Sequence, residues 1–588
     1  MSRNKSTRRR SHDRREQGQK AKAGGQTLRT YTVGALPIVN RLLERMKLEE
    51  FLQEYLPPDG PGTRLPTWTG LMLLVKNFLF SREPVYGVGE WADLYAPDLV
   101  GITPAHRRHL NDDRLGRCLN RLFEAGQSEL VLAVVRHVIR EFKLRLDELH
   151  NDSTTFSFFG AYRDAAEDGF QRGIPTCAIT YGHSKARRPD LKQLLYVLTV
   201  TEDGGVPIYF TTKSGNVTDD TTHRETWDLL CELVGRRDFL YVADCKLATF
   251  ENMQYIGRQG GRFVSVLPAT RKEDQEFRKQ LLKEPDLLAW QWLYDIREDD
   301  EDETSDIKDR LTVWPRETLT SEGYRLWWFH STRKAELDEA ARLKQIERAV
   351  KELNDLRRRL TGPRTRFRRR EQVTEAVDKI LDETGARSWL KVEAERWCTE
   401  TYRQTKPGRP GKDTKYVKEE VPSFDLRWEI DVTALAQQRA GDGVFPLVTN
   451  VREFSPLQTL QAYKRQPVIE KRFSQLKTDY AVAPVYLKNV SRIQALLCVY
   501  FFALLVQTLL ERQLRTAMQR TTERSLPLYP EGRPCKRPTT RRVLDVFEPI
   551  QQHTLTAGGH EETFVTELSP LHQDILKLLG LPRTDYGC

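Results

Sequence analysis

Apolar residues along this chain follow two rhythms, and the change between them divides it. From 31 to 146 they recur at three and four, as in Ile38, Leu42, Leu43 and Met46 and then Leu48, Phe51 and Leu52, the repeat of a helix that buries one face. Pro57, Pro58, Gly60, Pro61 and Gly62 interrupt the pattern. Further helices are predicted near 65–80, after Asn111-Asp112, where Leu115, Leu119 and Leu122 follow a good N-cap, and over 130–142. The expectation is an N-terminal all-α domain, built either to read DNA as a helix-turn-helix or to serve packing or dimerisation.

At 147 the rhythm shortens to that of strands. LHNDSTTFSFF, LKQLLYVLTVTEDG and GVPIYFTTKSGN are each bounded by turn residues, and the last two predict a hairpin around Asp203-Gly204-Gly205. A helix over 222–233, the strand FLYVAD, the helix TFENMQYIGRQ and the strand FVSVLP come next. Three strands and then alternating helix and strand is the order of an RNase H-like α/β core, a mixed sheet flanked by helices.

Past Pro268 that order is lost until about Val444. An acidic run occupies 298–303, and Leu343, Ile346, Val350, Leu353 and Leu360 then keep near-heptad spacing, which predicts an αα-hairpin or coiled-coil insertion. Eight Arg lie between positions 357 and 370 with no acid among them, either a solvated helix end or a phosphate clamp. Strand character returns at Val444–Thr449, Ser455-Pro456 opens a helix, and a buried apolar helix is expected over 491–510. The organisation expected is a basic disordered arm at 1–30, a helical DNA-binding domain at 31–146, a catalytic core at 147–268 and 442–520 split by an insertion at 269–441, and a basic region at 521–588 that is either loosely ordered or tracks DNA.

Charge sharpens this picture. Of a net +10, the first 30 residues contribute ten cations against two acids, +8, which suits a polyanionic partner because phosphate contacts release counterions. Eight Cys without a C-x-x-C pair indicate neither a zinc site nor a disulfide framework. MSRNKSTRRRSHDRRE lacks the apolar core of a secretory signal, and the run ALLCVYFFALLV is 12 residues, too short to span a bilayer. The expected setting is therefore the cytoplasm, with no membrane.

Two acids occupy positions where α/β sheets place ligands: Asp152 in the first strand and Asp244 at the end of the fourth. A buried acid between apolar and β-branched neighbours needs a partner or a metal. The stretch YGHSKARRPDLKQLLYVLTVTEDGGVPIYFTTKSGNVTDD at 181–220, VADCKLATFENM at 242–253, and DGVFPLVTN followed by YKRQPVIEKRFSQLK at 463–477 resemble the corresponding blocks of bacterial insertion-sequence transposases of the DDE, RNase H-like type. The third region of that group carries Tyr, two residues, Arg, three residues, Glu, six residues and Lys. Tyr463, Glu470 and Lys477 stand at those spacings, while Gln466 takes the Arg position and Arg465 lies one residue earlier.

The resemblance implies that Asp152, Asp244 and Glu470 are catalytic and bind two Mg²⁺ ions, for which Mn²⁺ can substitute. It implies as partners double-stranded DNA, namely terminal inverted repeats and target, with a homodimer on paired ends in a prokaryotic cell. Tyr463, Arg465, Lys477, Lys185, Arg187, Arg188 and Lys192 are the expected DNA contacts. On an unbroken α-helix Glu470 and Lys477 would share a face. Asp219 and Asp220 are rivals for the second acid, and Glu393 and Glu395 for the third; His183 has no partner at zinc spacing. An RNase H-like nuclease without strand transfer and a domesticated copy that only binds DNA are the competing readings.

Overall fold

In the computed structural model the residues described are 21–587, apart from 24–25, 161, 163–164, 166–168, 186–187, 284–288, 299–304, 362–364, 481–486 and 522–524. The chain forms two units, Met1–Val264 with Gln461–Cys588, and Ser265–Leu460. Most of the arm expected at 1–30 lies outside the described residues, but Gln26–Thr32 is a strand, β1. The three-and-four repeat then folds as helices α1 (Leu36–Arg45), α2 (Leu48–Tyr55), α3 (Thr67–Phe80), α4 (Asp112–Glu124) and α5 (Gln127–Glu141). Asn111 caps α4 by accepting from the Arg114 amide at 2.8 Å, and the Asp59 carboxylate does the same for α3 through the Thr67 amide at 2.8 Å.

The strand-rich stretch folds as β2 (Glu148–Phe158), β3 (Lys192–Thr201), β4 (Pro207–Ser214), α6 (His223–Val234), β5 (Leu240–Ala243), α7 (Phe250–Arg258) and β6 (Arg262–Val266). Its strands lie in the order β6-β5-β2-β3-β4. β3 is antiparallel to both β2 and β4, and β5 is parallel to β2, so the sheet is mixed. The β3–β4 turn uses Gly204 at φ +86 and Gly205 at φ +63, conformations that side chains disfavour. A Cβ on Gly205 would also lie 2.3 Å from Val468 Cγ1, so glycine is required there twice over.

The second unit holds α8 (Lys272–Lys283), β7 (Gln291–Arg297), β8 (Ile307–Val313), β9 (Arg325–Ser331), α9 (Thr332–Leu360), α10 (Arg370–Thr384), β10 (Leu390–Gln404), β11 (Tyr416–Ile430) and β12 (Val444–Thr449). Its strands pair in the order β7-β8-β9-β12, while β10 and β11 form a separate two-stranded ribbon. Of the αα-hairpin or coiled coil expected here, consecutive helices α9 and α10 do pack on each other, and Leu353, Leu356 and Leu360 of α9 share one core with Val377 and Leu381 of α10 and with Leu390, Phe424 and Leu426 of the ribbon. Leu343, counted in the heptad pattern, is 48% exposed.

The chain returns through α11 (Pro456–Lys464), α12 (Pro467–Ser474) and a π-helical turn, Gln475–Asp479, to the long α13 (Val490–Arg520). By length and a mean hydropathy of 2.1, α13 could cross a membrane, yet 94% of its most apolar window is buried inside the protein. It packs on α3, α4 and β4, with Phe78 stacked on Tyr500 at 4.1 Å and Phe210 on Phe501 at 4.8 Å. The C-terminal region, expected to be either loosely ordered or DNA-tracking, folds as α14 (Thr540–Phe547), the hairpin β13 (Gln551–Ala557) and β14 (His560–Val565), and α15 (Pro570–Leu579). Its β13 pairs with β1 from the other end of the chain.

One buried ion pair fixes α12 in place. Arg472 donates to Glu511 of α13 at 3.0 Å, to Gln475 Oε1 at 2.8 Å, and to the carbonyls of Gly204 and Gly205 at 2.7 and 2.9 Å. Both charges are essentially excluded from water, with side chains 2% and 0% exposed. Arg515 also donates to Glu511 at 3.2 Å, so removing Arg472 leaves a buried carboxylate only partly compensated, a loss of up to about 3 kcal/mol. Arg472→Met should lower the denaturation midpoint accordingly, and combining it with Glu511→Met should recover part of the loss; a midpoint equal to the parent's for Arg472→Met would contradict this packing.

Candidate active site

The parallel register of β2 and β5 runs from Glu148↔Leu240 to Asn151↔Ala243. The next residue on each strand is an acid, so Asp152 and Asp244 stand side by side where β5 ends. Asp152 Oδ1 accepts from the Ser153 amide at 2.7 Å and Asp244 Oδ1 from the Lys246 amide at 3.0 Å.

Lys185 reaches this pair from the loop before β3. Its Nζ lies 2.6 Å from Asp219 Oδ2 and 3.5 Å from Asp152 Oδ1, and donates to Ser153 O at 2.7 Å and Ser153 Oγ at 2.8 Å. The loop is held by Gln193, whose buried amide donates to the carbonyls of His183 at 3.1 Å and Gly215 at 2.9 Å. Gly182 passes so near that strand that a Cβ would sit 1.9 Å from Gly215 O. Only a residue without a side chain lets the loop come close enough for Lys185 to reach.

Burial makes charge expensive here. It pushes the Asp152 carboxyl up to about 6; Lys185 opposes the shift, and Asp244 and Asp219 add to it. Asp244 is raised as well, by burial first and also by Asp219, against Lys185. Burial lowers the Lys185 ammonium, but Asp152, Asp219 and Asp244 outweigh it and hold the group above its ordinary value. Lys477 is pulled down by burial and then by Lys185, with Asp152 opposing. Both ammonium groups therefore lie within electrostatic reach of Asp152.

The third region comes to the same strand. Pro467 opens α12 as its first residue and Glu470 sits in the first turn. The Tyr463 phenol is raised by burial and then by Asp244, Cys245, Glu470 and Asp152, so it neighbours all three expected catalytic acids. Lys477 Nζ donates to Thr154 Oγ1 on β2. Glu470 lies in α12 and Lys477 in the π-helical turn that follows it, so no unbroken α-helix joins the two.

Gln466, at the Arg position of the signature, docks the start of α12 on β2. Its Oε1 accepts from His150 Nδ1 at 2.8 Å and its Nε2 donates to Asn151 O at 3.0 Å. His150 Nε2 lies 2.9 Å from Glu148 Oε1, and Arg465 forms a two-pronged ion pair with the same Glu148. Burial raises Glu148, but His150 and Arg465 more than compensate and hold its carboxyl low. Glu148, His150 and Thr154 escaped sequence reasoning. Their signal was the polar alternation with Asp152 along one face of an otherwise buried strand.

The other expected contacts are dispersed. Arg188 pairs with the exposed Asp190 at 2.6 Å, Lys192 begins β3 opposite Phe158, and Arg187 lies outside the described residues. Asp219 and Asp220 begin a short 3₁₀ turn ahead of α6, and Asp219 joins the site through Lys185. Glu393 and Glu395 lie on β10 in the second unit. Among the described residues, no three His, Cys, Asp or Glu side chains lie close enough together to hold one metal ion.

Comparison with known proteins adds three findings. Residues 28–136 match a family described as Domain of unknown function (DUF4277). No curated protein matches the chain. Among solved structures, the piggyBac transposase synaptic complex with hairpin DNA matches at 11% identity and a TM-score of 0.28, over 49% of this chain and 60% of that one. The Mos1 mariner paired end complex with Mn matches at 10% identity and a TM-score of 0.14, over 39% and 66%. In both cases this chain covers less than two thirds of the other.

The raised Asp152 carboxyl has a measurable consequence. With a folded value near 6 against an ordinary 3.8, the folded state holds this proton more tightly than the unfolded one. Its contribution to stability is present at low pH and lost as pH rises from about 4 to about 6. In chelator-treated protein, Asp152→Asn should melt close to the parent near pH 4 and gain about 1–3 kcal/mol over it by about pH 7.5. A difference that stays constant with pH, or shrinks, would contradict the electrostatics.

Proposed function

We propose that this chain is a transposase of the DDE type, an enzyme that cuts DNA at the ends of an insertion sequence and joins the freed 3′ ends to target DNA. The observation that carries the reading is the parallel register setting Asp152 beside Asp244, with Tyr463 within electrostatic reach of both and of Glu470. Resemblance of the three acid-bearing regions to those of bacterial insertion-sequence transposases supports it.

Asp152, Asp244 and Glu470 would hold two Mg²⁺ ions, or Mn²⁺ in their place. The donor set fits a hard divalent cation: it consists of carboxylate oxygens, and the raised values of Asp152 and Asp244 mark negative charge that a cation relieves. When bound, such ions lower the pKa of an attacking hydroxyl and stabilise the leaving oxygen. Lys185, 3.5 Å from Asp152, and Lys477, held by Thr154 on the same strand, would attract the scissile phosphate. Tyr463 orients the acids, and the Arg465–Glu148–His150–Gln466 chain keeps α12 on β2. In the first step water attacks phosphorus, leaving a 5′ phosphate, as the bond to the 3′ oxygen breaks and that oxygen takes up a proton; in the second that 3′-OH loses its proton and attacks a phosphorus of target DNA, whose bond to the target strand's own 3′ oxygen breaks as that oxygen takes up a proton. A homodimer would hold two terminal inverted repeats by this cut-and-paste route, on the nucleoid of a prokaryotic cell.

A DNA-binding descendant without chemistry is the second reading. It is favoured by one observation, that Lys185 already neutralises Asp152 and Asp219 where a metal ion would compete. Paired assays separate the two, using gel-shift affinity for a labelled element end and cleavage of the same DNA in Mg²⁺ or Mn²⁺. Alanine at Asp152, Asp244 or Glu470 should reduce cleavage at least about 100-fold with end binding retained, while Lys477→Ala should weaken end positioning and leave some nicking. A parent that binds ends but cleaves in neither metal would establish the second reading, and Glu470→Ala cleaving like the parent would remove Glu470 from the catalytic set.

A further inference from the structure

Residues 390–430 form a long two-stranded ribbon, a sheet of its own among the described residues. β10 and β11 pair in unbroken antiparallel register from Leu390↔Ile430 to Gln404↔Tyr416, a length of about 50 Å at roughly 3.4 Å per residue. Only its root is anchored, where Leu390, Phe424 and Leu426 enter the core of the second unit. Beyond the root both broad faces are bare: Trp397 is 43% exposed, Tyr402 64% and Tyr416 51%. The tip is tied by Thr405 N to Lys415 O at 3.0 Å and Gly411 N to Thr414 Oγ1 at 2.7 Å.

The charge of the ribbon is concentrated at that tip. Residues 402–418 carry six cations, Arg403, Lys406, Arg409, Lys412, Lys415 and Lys418, against one acid, Asp413, a net +5 in a chain whose total is +10. Lys418 pairs with Glu400 at 2.5 Å. Edge strands use lysines to block aggregation, but that purpose calls for charge spread along the edges. Here it gathers at the far end, beside exposed aromatic rings.

We infer that this ribbon is a DNA-binding arm that lays its basic tip in a groove of the duplex. A two-stranded ribbon fits the major groove, about 12 Å wide, and the exposed part beyond Arg396 is long enough to follow it for about one helical turn. Contacts of this kind are to phosphates, so the arm adds affinity without sequence preference. The inference rests on the proposal that this protein handles DNA, and it extends that proposal to a surface remote in sequence from the three acids.

The test measures binding of the full-length protein to a random-sequence duplex across a range of salt concentrations. The variants are Lys406→Gln with Arg409→Gln, Lys412→Gln and Lys415→Gln, and a shortened ribbon in which a two-residue turn joins Glu400 to Glu420. Both should weaken binding at least about tenfold near 0.1 M salt and reduce the slope of log affinity against log salt by roughly 2–4. The charge-preserving change of the three lysines to Arg should bind like the parent. Thermal melting equal to the parent's confirms that each variant folds. Unchanged affinity and slope in both folded variants would overturn the arm while leaving the DNA reading intact. A parent that binds no duplex would overturn both, and a change in self-association in place of the salt slope would make the ribbon a contact between copies.

Discussion

Two carboxylates buried side by side repel each other and resist losing water, and the whole first unit is arranged around that expense. The parallel pairing of β2 with β5 brings Asp152 and Asp244 together, and burial first, with Asp244 adding to it, raises the Asp152 carboxyl. Among the described residues, cations come to this side of β2: Lys185 on a loop held by Gln193 and permitted by Gly182, and Lys477 on a π-helical turn. Tyr463 lies within electrostatic reach of the acids, and burial first raises its phenol.

The same constraint explains α12. A helix carrying a catalytic candidate has to be held more firmly than its own eight residues allow, since so short a helix is marginal alone. It is tied at its start by Gln466 to β2 and at its end by Arg472 to Glu511 and the Gly204–Gly205 turn. The π turn after it carries Lys477 to Thr154. Deviations of this kind are concentrated at functional sites because regular geometry seldom aims every side chain correctly.

What was legible in the sequence was whatever depends on local periodicity. β2, β3 and β4, the glycine hairpin, α6 and the helix holding ALLCVYFFALLV all come from alternation or from apolar runs. Asp152, Asp244, Glu470 and Lys477 were proposed together by the resemblance of their surrounding blocks to those of insertion-sequence transposases. Less was visible where partners lie far apart in the chain: Arg465 finds Glu148 across 317 positions, and β13 finds β1 across the whole protein. The ribbon was missed for a different reason. Its distal strands bury no face, so they carry no apolar alternation, and WCTETYRQTKPGRPGKDTKYVKEE reads as loop. The heptad pattern of α9 pointed to a helical partner but not to the ribbon, because one stripe of leucines serves a neighbouring helix and the ribbon root at once, which spacing cannot distinguish from a coiled coil.

The chemistry proposed for this chain requires the three acids to share a divalent cation. The direct measurement is to load the metal-free protein with Fe²⁺, generate hydroxyl radicals with ascorbate and peroxide, and map the resulting backbone cuts by mass spectrometry. Cuts adjacent to Asp152, Asp244 and Glu470, all suppressed by excess Mg²⁺, are the predicted result. Cuts elsewhere, or cuts near only one of the three that Mg²⁺ does not suppress, would contradict it.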